Sequence, residues 1–140
     1  MALVENTLRL VLGRLPKVVS PRSHAAIDYA VAAAFVAVGL KTWKRNKRVA
    51  IPALLIGGSQ VALSLLTDYP GGVTDALELE KHLEIDALRA GVIASLPGIL
   101  EFPEAWQSRF FRGHGMAIAA VAGLTETKEE NISRSRYHSL

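Results

Sequence analysis

The sequence contains no cysteine, so a disulfide framework, a thiolate nucleophile and a cysteine-ligated zinc site are all excluded. Aromatic residues are scarce, at 6% of 140 residues, and the basic residues alternate with acidic ones instead of forming a stripe beside stacking rings. With a net charge of only +3, that pattern speaks against nucleic acid as a partner. No serine lies in a Gly-x-Ser-x-Gly elbow, and no glycine-rich loop carries the lysine of a phosphate-binding loop. The balance is therefore against an enzyme.

Aliphatic residues are abundant. Half of the chain is hydrophobic, with 11 glycines, which is the composition of closely packed helices in one domain. A mean hydropathy of +0.24 is modest because both ends and the loops are charged. The hydrophobic residues fall into four segments, from about Ala25 to Leu40, Ala50 to Thr67, Leu83 to Leu100, and Gly113 to Leu124. Between the first two lies KTWKRNKR, five basic residues in eight, which no hydrocarbon layer would accept. By strict apolar count the segments are shorter than the ~20 residues needed to cross a bilayer core. Extension into their polar flanks restores the length, with long basic side chains snorkelling and Trp43 and Trp106 at a common interface. The alternative is a soluble four-helix bundle.

Ahead of these segments, Val4, Leu8, Val11, Leu12 and Leu15 share one side of a short helical pattern ended by Pro16, and Glu5, Arg9 and Arg14 lie elsewhere. Charges at Glu5 and Arg9 interrupt any signal-peptide core. A helix lying in the membrane interface is expected over residues 1–20. Ser20-Pro21 is a helix-start signal. A four-helix membrane domain is expected over residues 21–125, followed by a flexible polar tail over 126–140.

The chain repeats itself. An offset of 58 residues superimposes HAAID (His24 to Asp28) on HLEID (His82 to Asp86), and Leu66-Thr67-Asp68 on Leu124-Thr125-Glu126. Residues 24–69 share eight identities with their partners, at His24, Ile27, Asp28, Ala32, Gly57, Ala62, Leu66 and Thr67. Alanine and leucine matches are cheap between apolar helices, so the weight lies on His, Asp and Thr. The expected fold is all-α: a bundle of four transmembrane helices built from two tandem hairpins, about 21–70 and 79–128. Two such two-span units are related by a pseudo-twofold axis along the membrane normal. Matching residues then lie at matching depths, which puts His24, Asp28, Thr67, Asp68, His82, Asp86, Thr125 and Glu126 at one end.

Residues four apart share a helix face, so His24 with Asp28 and His82 with Asp86 can bond within a helix or across the axis. Charges in a span cost several kcal/mol unless paired, which leaves three readings of this cluster. In the first, Thr67, Asp68, Thr125 and Arg89 join the His/Asp pairs in pinning the helices together, with Arg89 balancing Asp86 or Asp28. In the second, His24, His82, Asp28 and Asp86 hold a divalent metal, or the two histidines hold a haem. The third is proton or solute transfer between the repeats. His114, flanked by Gly113 and Gly115, is expected to make a local hydrogen bond, and Gly57-Gly58-Ser59 to permit tight packing. A homo-oligomer or a membrane-protein partner is compatible with all three.

The succession HAAIDY, SLLTDYPGGV, HLEIDALRAGVIASLPGILEF and GLTETK, within residues 23–128, resembles the bacterial SPW-repeat membrane proteins. That resemblance implies four spans in two related halves, a multi-pass place in the bacterial inner membrane, and no particular activity. The chain departs from the family pattern where Ser95-Leu96-Pro97-Gly98 stands in place of Ser-Pro-Trp, so no role of that tryptophan carries over. Lys and Arg are balanced, seven near the basic loop and Trp106 and eight near the termini and acidic loop, and orientation is left open.

Overall fold

The computed structural model describes residues 2–12 and 14–127. The expected polar tail lies outside the described residues beyond Thr127. Among the described residues there are five helices and no strand: α1 (Ala2–Leu12), α2 (Pro21–Thr42), α3 (Lys47–Leu66), α4 (Leu79–Ile99) and α5 (Ala105–Leu124).

Local chemistry sets the helix ends. The Ser20 hydroxyl caps α2 by accepting from the Ser23 amide at 3.1 Å, and Pro21 brings a fixed φ to the first turn. Asn46 does the same for α3, its Oδ1 accepting from the Arg48 amide at 3.0 Å. A reciprocal capping box between Glu104 and Gln107 starts α5. The turn before it places Glu101 in the left-handed region, with φ 51°.

Caps and polar flanks together extend each apolar segment to 20–22 residues, about 30 Å of helix. Two helices, α2 and α3, are both long and apolar enough to cross a membrane. The remaining pair has the length but is more polar: α4 carries Glu80, Lys81, Glu84, Asp86 and Arg89, and α5 carries Arg109, Arg112 and His114.

Two antiparallel hairpins, α2–α3 and α4–α5, make up most of the molecule. Glycine sets their closeness. A Cβ on Gly57 would lie 2.9 Å from the Ala32 carbonyl oxygen, and one on Gly115 would lie 2.7 Å from that of Ala90. The expectation for the Gly57-Gly58 pair needs correction, because Gly58 has nothing within 4 Å of its Cβ position and only Gly57 makes the close approach. Gly113 is equally open, so the tight contact beside His114 belongs to Gly115 alone.

The hairpins meet over a core of Phe35, Val49, Ala53, Ile93 and Phe111, with Phe35 of α2 and Phe111 of α5 edge to face at 5.2 Å. Two short bridges close one end. Val19 pairs with Thr125, and Leu77 with Thr67. The Val19 amide donates to Leu124 and the Glu126 amide to Val19, both at 2.9 Å. The Leu77 amide likewise donates to Leu66 at 2.9 Å, and the Asp68 amide to Leu77 at 2.8 Å. α1 stops at Leu12, four residues short of Pro16, and leaves Leu3, Val4, Leu10 and Val11 exposed.

Candidate functional site: a buried histidine–aspartate quartet

His24 and His82 each occupy the fourth position of their helices, α2 and α4, and Asp28 and Asp86 follow one turn later. The 3.6-residue period turns each pair onto one face, and the meeting of the hairpins brings the faces together. All four side chains are buried, the histidines at 0% exposure and the aspartates at 5% and 1%.

Each imidazole touches both carboxylates. His24 Nε2 lies 3.3 Å from Asp28 Oδ2 and 3.3 Å from Asp86 Oδ2. His82 Nε2 lies 3.1 Å and 3.0 Å from the same two oxygens. A closed ring of alternating nitrogen and oxygen results.

The other nitrogens are held by threonine from the opposite hairpin. His24 Nδ1 stands 2.7 Å from Thr125 Oγ1, and His82 Nδ1 stands 2.7 Å from Thr67 Oγ1. Both hydroxyls donate their single proton one turn back along their own helix, Thr67 to Leu63 at 2.7 Å and Thr125 to Val121 at 2.6 Å. Each threonine oxygen therefore accepts from the ring, so both Nδ1 atoms carry hydrogen.

Around this ring the two aspartates differ. Asp28 Oδ2 accepts from the Tyr69 hydroxyl at 2.8 Å and from Ser64 Oγ at 3.5 Å. Burial, reinforced by the Asp28 charge, pushes the Tyr69 phenol far above its ordinary range, which keeps it a donor. Asp86 Oδ1 is paired with the Arg89 guanidinium at 3.5 Å but makes no hydrogen bond among the described residues. Arg89 reaches from α4 to α3, bonding Gln60 Oε1, Ser59 Oγ at 3.1 Å and the Ile56 carbonyl at 3.2 Å.

Of the residues singled out in the sequence, His24, Asp28, His82, Asp86, Thr67, Thr125 and Arg89 come together here. Asp68 stands beside Thr67 and contributes its backbone amide to the bridge with Leu77. His114 lies elsewhere, donating from Nδ1 to the Phe110 carbonyl at 2.9 Å and packed on Phe35 and Phe110. Tyr69, Ser64 and Gln60 were not anticipated. Gln60, Ser64 and Thr67 follow the spacing i, i+4, i+7, a polar stripe along the last turns of α3 and its C-cap that sequence alone could have exposed.

The haem considered above does not fit this geometry. A macrocycle held by both histidines needs the rings on opposite faces of a flat plate. Here the rings stand edge to face with centroids 5.2 Å apart, and both Nε2 atoms contact the same two oxygens, which leaves no slot.

No known protein family matches the chain, and neither does any curated protein or solved structure. The resemblance to the SPW-repeat proteins thus rests on the quoted residues alone.

Proposed function

We propose that the protein is a small multi-pass membrane protein with a structural or assembly role, built from two fused helical hairpins that the buried quartet clasps together. The observation that carries the clasp is the reciprocity of its bonds: each hairpin's histidine binds the other hairpin's threonine. In a self-complementary interface residue i meets j while j's counterpart meets i's, and fused copies of one hairpin would produce this pattern. The same offset of 58 relates the starts of α2 and α4, the starts of α3 and α5, both glycine approaches and both bridges.

Support for the bilayer comes from where the apolar surface lies. In α2 and α3 only 33% of the most apolar stretch is buried, so most of their apolar surface faces outward. Large apolar side chains such as Leu55, Leu88, Val92, Ile99 and Met116 point outward from α3, α4 and α5. A soluble bundle would place polar groups there. On this reading α1 lies in the interface with Leu3, Val4, Leu10 and Val11 toward lipid.

The absence of cysteine makes the topology directly testable with single cysteines. Four spans require Arg45→Cys and Glu101→Cys to be labelled from one side of the membrane and Asp75→Cys from the other. Labelling of all three from one side, or release of the protein by alkaline carbonate, would overturn this reading.

A further inference from the structure

We infer that the quartet is a closed binding site for one divalent transition-metal ion, of the zinc class. The inference deepens the proposed clasp and does not depend on the chain's crossing a membrane. With Nδ1 protonated on both histidines, each Nε2 presents either a lone pair or a second hydrogen toward Asp28 Oδ2 and Asp86 Oδ2. Two lone pairs facing two carboxylates at 3.0–3.3 Å would repel, so positive charge must lie inside the ring.

Size and chemistry favour a metal ion in that place. Four donor atoms lie 3.0–3.3 Å apart along the ring and all within 4.8 Å of one another, so a single ion at their centre would be within reach of all four. Tetrahedral zinc, with bonds of ~2.0–2.2 Å to imidazole nitrogen and carboxylate oxygen, sets its donors roughly 3.3–3.6 Å apart, close to the ring's edges, and the ring would pucker around it. Two carboxylates balance the charge of one divalent cation. Two imidazoles and only four donors argue against calcium and magnesium, which prefer six or more oxygens.

The surroundings match the way metal-bound histidine is held. A ligating imidazole donates its remaining N–H to an oxygen that fixes tautomer and ring angle, the position Thr67 and Thr125 occupy. Tyr69 orients Asp28 in the same way. All four ligands are buried, so no open coordination position faces a substrate, and the site belongs to the structural, non-catalytic kind. The ion would tie α2 to α4 and would make the joining of the hairpins metal-dependent.

The test uses the full chain, purified without a histidine tag, stripped with chelator and titrated with cobalt(II). One equivalent per chain is expected to raise the visible band of tetrahedral cobalt, and zinc is expected to displace it. Asp86→Asn and His24→Gln should abolish the band, whereas His114→Ala should leave it intact. Thr125→Val, which removes only a hydroxyl, should weaken affinity about 10–100-fold. Folded wild-type protein that takes up neither cobalt nor zinc would overturn the inference and leave a ring of imidazolium and carboxylate ions. Full binding retained in folded Asp86→Asn and His24→Gln would overturn it as well. If those variants fail to fold, the wild-type titration with Thr125→Val decides. Membrane fractionation reports separately on the proposed topology.

Discussion

At Gly57 and Gly115 the helix backbones come so close that any side chain must displace a carbonyl-bearing turn of the neighbouring helix. Gly57→Leu or Gly115→Leu is expected to cost about 1–3 kcal/mol or more, measured by chemical unfolding, as overpacked sites do. Gly58→Ala is the matched control: with nothing near its Cβ position it should be neutral or gain up to about 1 kcal/mol from helix propensity. A Gly58→Ala loss as large as that of Gly57→Leu would show that contact distance is not what matters. Tyr69→Phe removes one hydrogen bond to a carboxylate and leaves the ring in place, so a loss of about 1.5–3 kcal/mol is expected in the same assay.

Among the elements, α2 and α3 begin on side-chain caps, whereas α4 begins at Glu78 with no side-chain cap bond. Ser20→Ala and Asn46→Ala should each lower stability by about 1 kcal/mol, and Glu78→Ala should change it little, in thermal unfolding followed by circular dichroism. α1 is held to α4 by the exposed pair of Glu5 and Lys81 at 2.8 Å. Such pairs are screened by water and salt, so it orients α1 more than it stabilises the fold.

For the whole molecule, Arg89 is the main polar tie between α4 and α3, the helices on either side of the connection between hairpins. Arg89→Met would strip Asp86 Oδ1 of its guanidinium partner and leave Gln60 buried without its donor. A loss of about 3 kcal/mol or more is expected from chemical unfolding. Gln60→Leu removes the acceptor alone and should cost less, about 1–2 kcal/mol. Equal effects would mean that the charge beside Asp86 contributes nothing.

Much of this site was legible before any coordinates, and the reason lies in the offset of 58. Histidine, aspartate and threonine recurring at one spacing in apolar surroundings must be buried at matching places, whatever they bind. Tyr69, Ser64 and Gln60 escaped because their counterparts are Thr127, Ala122 and Ile118, so a repeat cannot flag them. Helix starts were similarly readable at Ser20-Pro21, since a cap is a contact over three residues.

By itself, then, the sequence determined the four apolar segments and, through the offset of 58, the repeated histidine, aspartate and threonine of the polar cluster. Only the tertiary structure decided the partners. Thr67 and Thr125 stand one offset apart, and nothing local tells His24 which to choose. The hairpins join so that His24 takes Thr125 and His82 takes Thr67, while both imidazoles share both carboxylates. That choice depends on the packing of Phe35 against Phe111 and of Arg89 against Gln60, contacts between residues far apart in the chain.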